Sequence, residues 1–252
     1  MHPYLQAAEL TRLTQWWPRI VAAGVPVPRT SVYPLPSGAV FALFDGQDLD
    51  PVLEPAAVTR WITESELGYP LFLRTDVLAS KHAWHDTCYV AHPDVLIKHI
   101  GRLFDDTIGL ADLEPQALVA REFLDLDTGF TAFAGETPIG AERRYFIQDG
   151  AVVCHHPYWP EDAIARGSTK RPLVADWKTR LAALNTETPD EVRLLTAYAT
   201  KLAGRLPGVW SVDFARLRNG GWIFIDAAWA SISYHPDCPE GPRLLSVPLP
   251  LL

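Results

Sequence analysis

VDFARLRNGGWIFIDAAW, residues 212–229, contains two runs rich in aromatic and aliphatic residues, separated by the segment RNGG. Asn-Gly and Gly-Gly pairs between such runs are typical of β-hairpins. A two-residue turn at Asn219-Gly220 would place Asp213 directly opposite Asp226, with both side chains on one face of the sheet. A two-residue turn at Gly220-Gly221 keeps both on that face, whereas a three-residue loop would separate them. The sequence therefore predicts a pair of facing aspartates if the loop has an even length.

Two facing aspartates need a partner of opposite charge. Opposed side chains lie roughly 5 Å apart, and like charges at that distance destabilise a sheet. A bound Mg²⁺ would offset the repulsion, because this ion takes one or two protein carboxylates and completes its shell with water and phosphate oxygens. The alternative is that one aspartate pairs with an arginine or faces solvent. Trp222 and Phe224 share a face with Asp226, which disfavours solvent exposure, and we expect Asp213 and Asp226 to be metal ligands.

The composition is typical of a globular protein that is not attracted to polyanions. The 252 residues are 48% hydrophobic and carry a formal net charge of −8, with a pI near 5.4. Because the summed field repels nucleic acid and anionic membranes, neither is an expected partner. No apolar run of about 18 residues and no secretory signal is found. Cys88, Cys154 and Cys238 are odd in number and widely spaced, so we expect reduced thiols and a cytoplasmic protein.

The other patterns predict an α+β fold in which helices are interleaved with antiparallel sheet. Residues 25–46 contain several prolines and glycines and are expected to form short extended segments. Thr188, Pro189 and Glu191 form a capping box that begins a helix. The expected helices are 4–23, kinked or split at Pro18, 54–66, HPDVLIKHIGRLFDD, 172–186 and 189–205. The expected strands are 70–75, 87–91, ALVAREFLDL, GFTAFAG, ERRYFI, AVVCHH, VWSVDFARL and GWIFIDAAW.

Two cations flank a short bend in GYPLFLRTDVLASKHAW, residues 68–84, and a third lies on a central strand. They are Arg74, Lys81 and Arg144. Arginine forks and lysine ammonium groups bind phosphate oxygens, whereas carboxylates anchor the accompanying Mg²⁺. Each cation taken alone is better explained by an ordinary ion pair, but their order across several segments favours a polyphosphate site. The sequence has no P-loop, dinucleotide-binding or nucleophile-elbow motif, and no paired ligand motif that would support a zinc site.

Taken in order, five segments resemble the ATP-grasp family, in the clade where arginine replaces the usual first lysine. They are GVPVPRT, GYPLFLRTDVLASKHAW, LVAREFLDLD, ERRYFIQDGAVV and VDFARLRNGGWIFIDAAW. The chain is more distantly similar to the ATP-grasp assembly chaperone of eukaryotic translation initiation factor 2. The resemblance implies an ATP-grasp fold, with two α/β subdomains that clasp the nucleotide. It divides the chain into an N-terminal segment (1–67), a nucleotide-flap subdomain (68–112) and a C-terminal subdomain (113–252).

The resemblance also implies ATP and Mg²⁺ as cofactors and gives roles to individual residues. Arg74 and Lys81 would reach the α and β phosphates, and Arg144 would approach the transferred phosphate, so that Lys81 and Arg144 are the expected catalytic residues. The remaining roles are adenine contacts through the backbone of Glu122, Phe123 and Leu124, a ribose contact from Asp127, and Mg²⁺ ligation by Asp213 and Asp226.

Three positions depart from the family pattern. Ala228 stands where the family usually has asparagine, which leaves open whether one metal binds or two. The bend after Arg74 lacks glycine and carries Asp76. Arg143 and Arg144 point to opposite faces of a strand, so a register error of one residue would exchange their roles.

The activity that the resemblance implies is ligation. The γ-phosphoryl group would move to a carboxylate, and an amine or other nucleophile would attack the acyl phosphate. The acceptor would be a small molecule or a peptide, and residues 157–171 form either an acceptor lid or a solvated connector. Two alternatives remain open, namely a nucleotide-gated assembly factor that binds a protein partner and a phosphotransferase.

Overall fold

A computed structural model describes residues 9, 11–48, 50–111, 113–134 and 136–235. The strands form two antiparallel four-stranded sheets and one two-stranded sheet. The strands are β1 (Thr30–Pro34), β2 (Leu71–Thr75), β3 (Tyr89–Val90), β4 (Ala117–Glu122), β5 (Thr128–Ala132), β6 (Thr137–Gly140), β7 (Glu142–Gln148), β8 (Ala151–Pro157), β9 (Val209–Arg216) and β10 (Trp222–Trp229). The α-helices are α1 (Leu13–Ala22), α2 (Ala39–Phe44), α3 (Pro55–Glu64), α4 (Leu96–Ala111), α5 (Glu161–Gly167), α6 (Trp177–Asn185) and α7 (Pro189–Ala203). The α+β expectation is confirmed.

The first sheet has the strand order β1-β4-β2-β3 and packs against α3 and α4. Helix α4 presents Leu96, Ile100, Leu103 and Phe104 to this core, which is the spacing of one helical face. The sheet joins strands from all three predicted segments, because β1 and β4 pair with each other and β4 also pairs with β2. Arg74 and its neighbours are therefore supported on both sides within one buried layer.

The second sheet has the order β10-β9-β7-β8 and shares its core with α1, α6 and α7. Helix α7 begins where the capping box predicted, since the Thr188 side chain accepts a hydrogen bond from the Glu191 amide at 3.2 Å and Pro189 occupies the first turn. Helix α1 covers the described part of the predicted helix 4–23 and contains Pro18, as expected. Residues 1–8 of that prediction, like Cys238, lie outside the described residues.

The turn of the last hairpin differs from the prediction. The Leu217 amide donates to the Gly221 carbonyl at 2.7 Å, which leaves three residues in the loop and sets Trp222 opposite Arg216. A loop of odd length should separate the aspartates, but a β-bulge at Ile225 shifts the register, so that Asp226 faces Asp213 after all. The predicted two-residue turn is wrong, and the predicted aspartate pair is correct because the bulge compensates for it.

Three local predictions also need correction. The predicted extended region 25–46 contains helix α2 as well as β1, and the predicted loop 157–171 contains helix α5. Strand β6 was not predicted. Helix α2 owes its start to a distant residue, because the Glu114 carboxylate accepts hydrogen bonds from the amides of Gly38 and Val40 at 2.8 and 3.0 Å. Such a cap lies far along the chain and has no local sequence signal.

Asp76, which departs from the family pattern, has a structural role. Its buried carboxylate accepts hydrogen bonds from Arg12 at 3.0 Å and from the amides of Gln116 and Ala117 at 3.1 and 3.3 Å. Its carbonyl accepts from the amide of Leu13 at 2.7 Å. The bend after β2 is thereby fastened to the start of α1 and to β4. Within the ranges that the structure describes, no helix is long and apolar enough to cross a membrane.

Candidate functional site

A cleft between the two four-stranded sheets, hereafter the nucleotide cleft, brings together most of the predicted site residues. Its cavity volume is about 220 Å³. Six predicted residues line it, from β2, the segment after β2, the end of β4 and β10: Arg74, Lys81, Glu122, Phe123, Leu124 and Asp226. Asp213, Asp127 and Arg144 are not among its described lining residues.

Arg74 and Asp226 form an ion pair that joins the two sheets across the cleft. Arg74 is 5% exposed, and its Nη1 lies 2.8 Å from Asp226 Oδ1. Burial by itself raises the pKa of Asp226, but the charges of Arg74, Arg121 and Lys81 hold that pKa below its usual value. Asp226 therefore stays ionised, and its charge is shared among cations.

Lys81 begins the short 3-10 helix Lys81–Asp86, which occupies the predicted bend between β2 and β3. Its Nζ donates to the Tyr158 hydroxyl at 3.1 Å, and its carbonyl accepts from Thr137 Oγ1 at 2.6 Å. Burial opposes the charge of Lys81, but Tyr158 and the carboxylates of Glu142, Asp226 and Asp213 raise its pKa above the usual value. The ammonium group is therefore a permanent cation.

Arg144 and Asp213 form a bidentate pair on the second sheet. Arg144 Nε and Nη2 each lie 2.8 Å from a different carboxylate oxygen of Asp213, and the two residues are opposed in the β7–β9 register. Arg143 points to the other face, where its Nε lies 2.7 Å from Glu191 Oε1 and 3.3 Å from Glu187 Oε1. Of the two arginines, Arg144 is the one on the face that carries Asp213.

Both facing aspartates thus carry arginine partners, which is the pairing that the sequence left open. The fit to Mg²⁺ depends on the remaining oxygens. Among the described residues, Asp226 accepts hydrogen bonds only at Oδ1, from Arg74 and from the Ala227 amide, and no group of three or more His, Cys, Asp or Glu side chains is arranged for a metal. One partly exposed carboxylate oxygen with Asp213 nearby fits an ion that keeps most of its shell as water and phosphate oxygens.

The predicted adenine-binding backbone is only partly available. The Glu122 amide donates to the Arg29 carbonyl and the Leu124 carbonyl accepts from the Leu126 amide, both at 3.0 Å. Among the described residues, no backbone hydrogen bond is formed by the amides of Phe123 and Leu124. Aromatic rings of Phe72, Trp84 and Phe123 line the cleft beside them, with the Trp84 ring centroid 5.9 Å from that of Phe72 and 6.4 Å from that of Phe123. Flat apolar walls beside backbone donors suit a nucleobase.

Asp127, the predicted ribose contact, has another partner. Its Oδ2 lies 2.9 Å from Arg216 Nε and 2.7 Å from Arg216 Nη2. Asp127 also lies outside the described lining of the nucleotide cleft. A ribose contact would require this ion pair to open, and that role stays a prediction.

Sequence reasoning gave no role to four residues near the site: Arg121, Glu142, Tyr158 and Trp159. Arg121 is 4% exposed and donates from Nη1 to the carbonyl of the bulge residue Ile225, while its Nε and Nη2 have no hydrogen-bond partner in the described part of the chain. Burial and the charge of Arg74 lower the pKa of Arg121 to about 9, against the opposing charge of Asp226. Arg121 opposes Phe72 in the β2–β4 register, so strand alternation from Arg74 could have identified it.

Glu142 and Trp159 form the wall of the cleft next to Lys81. Trp159 Nε1 donates to Glu142 Oε1 at 3.0 Å, and Glu142 Oε2 has no partner among the described residues. Burial raises the pKa of Glu142, although Lys81 opposes that effect. A buried carboxylate beside a buried cation is a pattern that functional sites often show.

The Arg143→Met variant tests the division of labour between the two adjacent arginines. Because the substitution leaves Glu191, whose side chain is 5% exposed, without its counter-charge, we expect the free energy of unfolding to fall by about 3 kcal/mol. Nucleotide binding by the folded fraction should not change. Chemical denaturation of this variant and of Arg193→Met, whose side chain on the same helix as Glu191 is 72% exposed, gives the comparison. Loss of nucleotide affinity without loss of stability would contradict the assignment.

The sequence comparisons identify one family. The model of the ATP-grasp domain, family 3 of the R-to-K clade, matches residues 64–241. A comparison with curated protein sequences gives no significant match. The matched range begins before β2 and includes every described residue that lines the nucleotide cleft except Pro28.

Solved structures of several different proteins have a similar fold. The biotin carboxylase domain of Hydrogenobacter thermophilus 2-oxoglutarate carboxylase, crystallised with MgADP and bicarbonate, is 10% identical with a TM-score of 0.54, and the match covers 95% of this chain and 43% of that one. VanG D-Ala:D-Ser ligase from Enterococcus faecalis is 14% identical with a TM-score of 0.52 and coverages of 92% and 57%. Cdc123 from Schizosaccharomyces pombe is 14% identical with a TM-score of 0.51 and coverages of 97% and 93%. The chain spans about half the length of the carboxylase and ligase chains.

Proposed function

The chain belongs to the ATP-grasp domain family, in family 3 of the R-to-K clade, and from that membership we propose that it is a Mg-ATP-dependent ligase that activates a carboxylate for attack by an amine or other nucleophile. ATP would lie in the nucleotide cleft with its base near Trp84 and Phe123. Its phosphates would extend towards Arg74 and Lys81. The acceptor would be a small molecule or a peptide.

The observation that carries the proposal is the meeting of distant residues in one cleft. Arg74 and Asp226 are 152 residues apart in the sequence, yet they are in contact, and Lys81 lies near enough for its charge to lower the pKa of Asp226. Cations and carboxylates concentrated in a cleft with flat apolar walls are the components that phosphoryl transfer from a nucleotide requires. A protein nucleophile is not among those requirements.

In the proposed reaction, a carboxylate oxygen of the acceptor attacks the γ-phosphorus of ATP, and the bond from that phosphorus to the β–γ bridging oxygen breaks. ADP leaves with the bond electrons, and an acyl phosphate forms. The nucleophile then attacks the acyl carbon, releases inorganic phosphate and loses one proton. Lys81 and Arg144 would stabilise the charge that spreads over the phosphoryl oxygens, and Asp226 with Asp213 would hold Mg²⁺, which neutralises the bridging oxygens.

Calorimetric titration with a non-hydrolysable ATP analogue, with and without Mg²⁺, tests the nucleotide site. We expect one-to-one binding that is at least about tenfold tighter with Mg²⁺. Chelation of the metal with EDTA in the same cell should reverse the gain. Absence of binding under both conditions would refute the proposal.

An assembly factor that binds Mg-ATP and a protein partner is the second candidate. The observation that favours it is size, since the chain spans 93% of Cdc123 but only 43% of the carboxylase domain. Products separate the possibilities. A ligase gives ADP, phosphate and a coupled product, a phosphotransferase gives a phosphorylated product, and an assembly factor gives a stable complex with neither product.

A further inference from the structure

A second cleft, hereafter the acceptor cleft, lies next to the nucleotide cleft and has a cavity volume of about 480 Å³. Among the described residues, the two clefts share only Trp159. The acceptor cleft is lined by two arginines and several rings, chiefly His82, Phe133, Arg144, Tyr158, Trp159 and Arg166. It has the size and the mixture of apolar walls with a few polar groups that small-molecule sites have.

Phe133 shows that one wall of the acceptor cleft is held in place against strain. Its φ of +63° lies in the left-handed region, which a bulky side chain rarely adopts. Its amide donates to the buried Ser168 hydroxyl at 2.9 Å, and its ring stacks on His82 with centroids 4.3 Å apart. A Cβ atom at position 167 would overlap the Phe133 ring, so only Gly167 permits this approach. Strain that the surroundings maintain is typical of binding sites.

The charge of the acceptor cleft suits an anion. None of its described lining residues is an aspartate or glutamate. Arg144 donates to Asp213 through Nε and Nη2, but its Nη1 reaches only the Tyr234 carbonyl at 3.4 Å, which is a long hydrogen bond. Arg166 pairs with Asp162 at the surface, where such pairs contribute little and exchange readily. A carboxylate could therefore take hydrogen bonds from both arginines.

The acceptor cleft also has the position that a substrate needs. The Tyr158 ring centroid lies 4.5 Å from the Arg144 guanidinium carbon and 4.7 Å from Lys81 Nζ. A single aromatic ring thus contacts the cation of the nucleotide cleft and the cation of the acceptor cleft. A group bound at Arg144 would lie close to phosphates bound at Lys81.

We infer that the acceptor cleft binds the substrate that receives the phosphoryl group, and that this substrate is a carboxylate attached to an aromatic or similarly flat apolar group. The inference rests on the proposed function for the word acceptor, whereas the recognition chemistry rests on the cleft itself. The carboxylate is held by Arg144 and Arg166, and the flat group packs between Phe133 and Trp159.

The test uses phenylacetate as the probe and measures its binding to the full chain by saturation-transfer NMR, in the presence of the non-hydrolysable ATP analogue and Mg²⁺. Phenylacetamide has nearly the same shape without the charge, and acetate has the charge without the ring. We expect phenylacetate to bind at least about tenfold more tightly than either, since a charged hydrogen bond and a buried ring each contribute about that much.

A matched pair of variants locates the probe. Ala163→Trp fills the acceptor cleft and should abolish phenylacetate binding, whereas Ala165→Trp adds the same side chain at an exposed position of the same helix and should leave it unchanged. Both variants should keep their affinity for the ATP analogue, which also reports that they are folded.

The possible outcomes separate this inference from the proposed function. Equal binding of phenylacetate and phenylacetamide, no binding of either, or binding that survives Ala163→Trp would overturn it, even if the ATP analogue binds. Phenylacetate binding that follows the expected pattern, together with a failure to bind the ATP analogue, would retain the carboxylate site and refute the ligase.

Discussion

Replacing Asp226 with asparagine abolishes Mg²⁺-dependent nucleotide turnover. The expected loss is about 100-fold or more, because an amide oxygen carries no charge to hold the metal that neutralises the phosphates. The substitution preserves the shape of the side chain. It also leaves Arg74, which is 5% exposed, without its counter-charge, so that the nucleotide-free protein should be less stable as well.

Initial rates of phosphate release across a Mg²⁺ titration measure the effect of Asp226→Asn. Asp149→Asn is the matched control, since it makes the same chemical change at an exposed hairpin residue with φ of +47°, a conformation that asparagine tolerates. Turnover at the wild-type level in saturating Mg²⁺ would show that Asp226 is not a metal ligand. A purely structural effect would appear instead as reduced stability with normal turnover per folded molecule.

Replacing Lys81 with methionine weakens binding of the ATP analogue by about 10- to 150-fold, the equivalent of one charged hydrogen bond. Methionine keeps the apolar stem that packs near Tyr158 and Trp159 and removes only the ammonium group. Adenosine has no phosphates, and its affinity should therefore be unchanged. This contrast between two ligands separates a lost phosphate contact from a damaged cleft.

Lys98→Met is the control for Lys81→Met, because the Lys98 side chain is 75% exposed and lies 3.9 Å from its partner Asp86. We expect its affinities for both ligands to equal those of the wild type. An equal loss of ATP-analogue and adenosine binding in Lys81→Met would mean that the cleft has been disturbed. Unchanged binding of the ATP analogue would contradict the role of Lys81 as a phosphate-binding residue.

The sequence by itself determined the local chemistry of the candidate site. The β-hairpin that carries Asp213 and Asp226, the strand that carries Arg74 and the helix begun by Thr188 all follow from signals that lie within a few residues of one another. Hairpin turn residues, strand alternation and capping boxes act over short distances, and a single sequence is enough to detect them. Residue order across the segments was sufficient to indicate the family.

Tertiary structure decided which of these groups meet. The register that makes Asp226 face Asp213 depends on a bulge at Ile225, whose carbonyl accepts a hydrogen bond from Arg121 on the other sheet. Helix α2 depends on Glu114, and the acceptor cleft depends on the approach of Phe133 to Gly167. Each of these contacts joins residues far apart in the chain, so its free energy exists only after the chain has folded, and no local pattern encodes it.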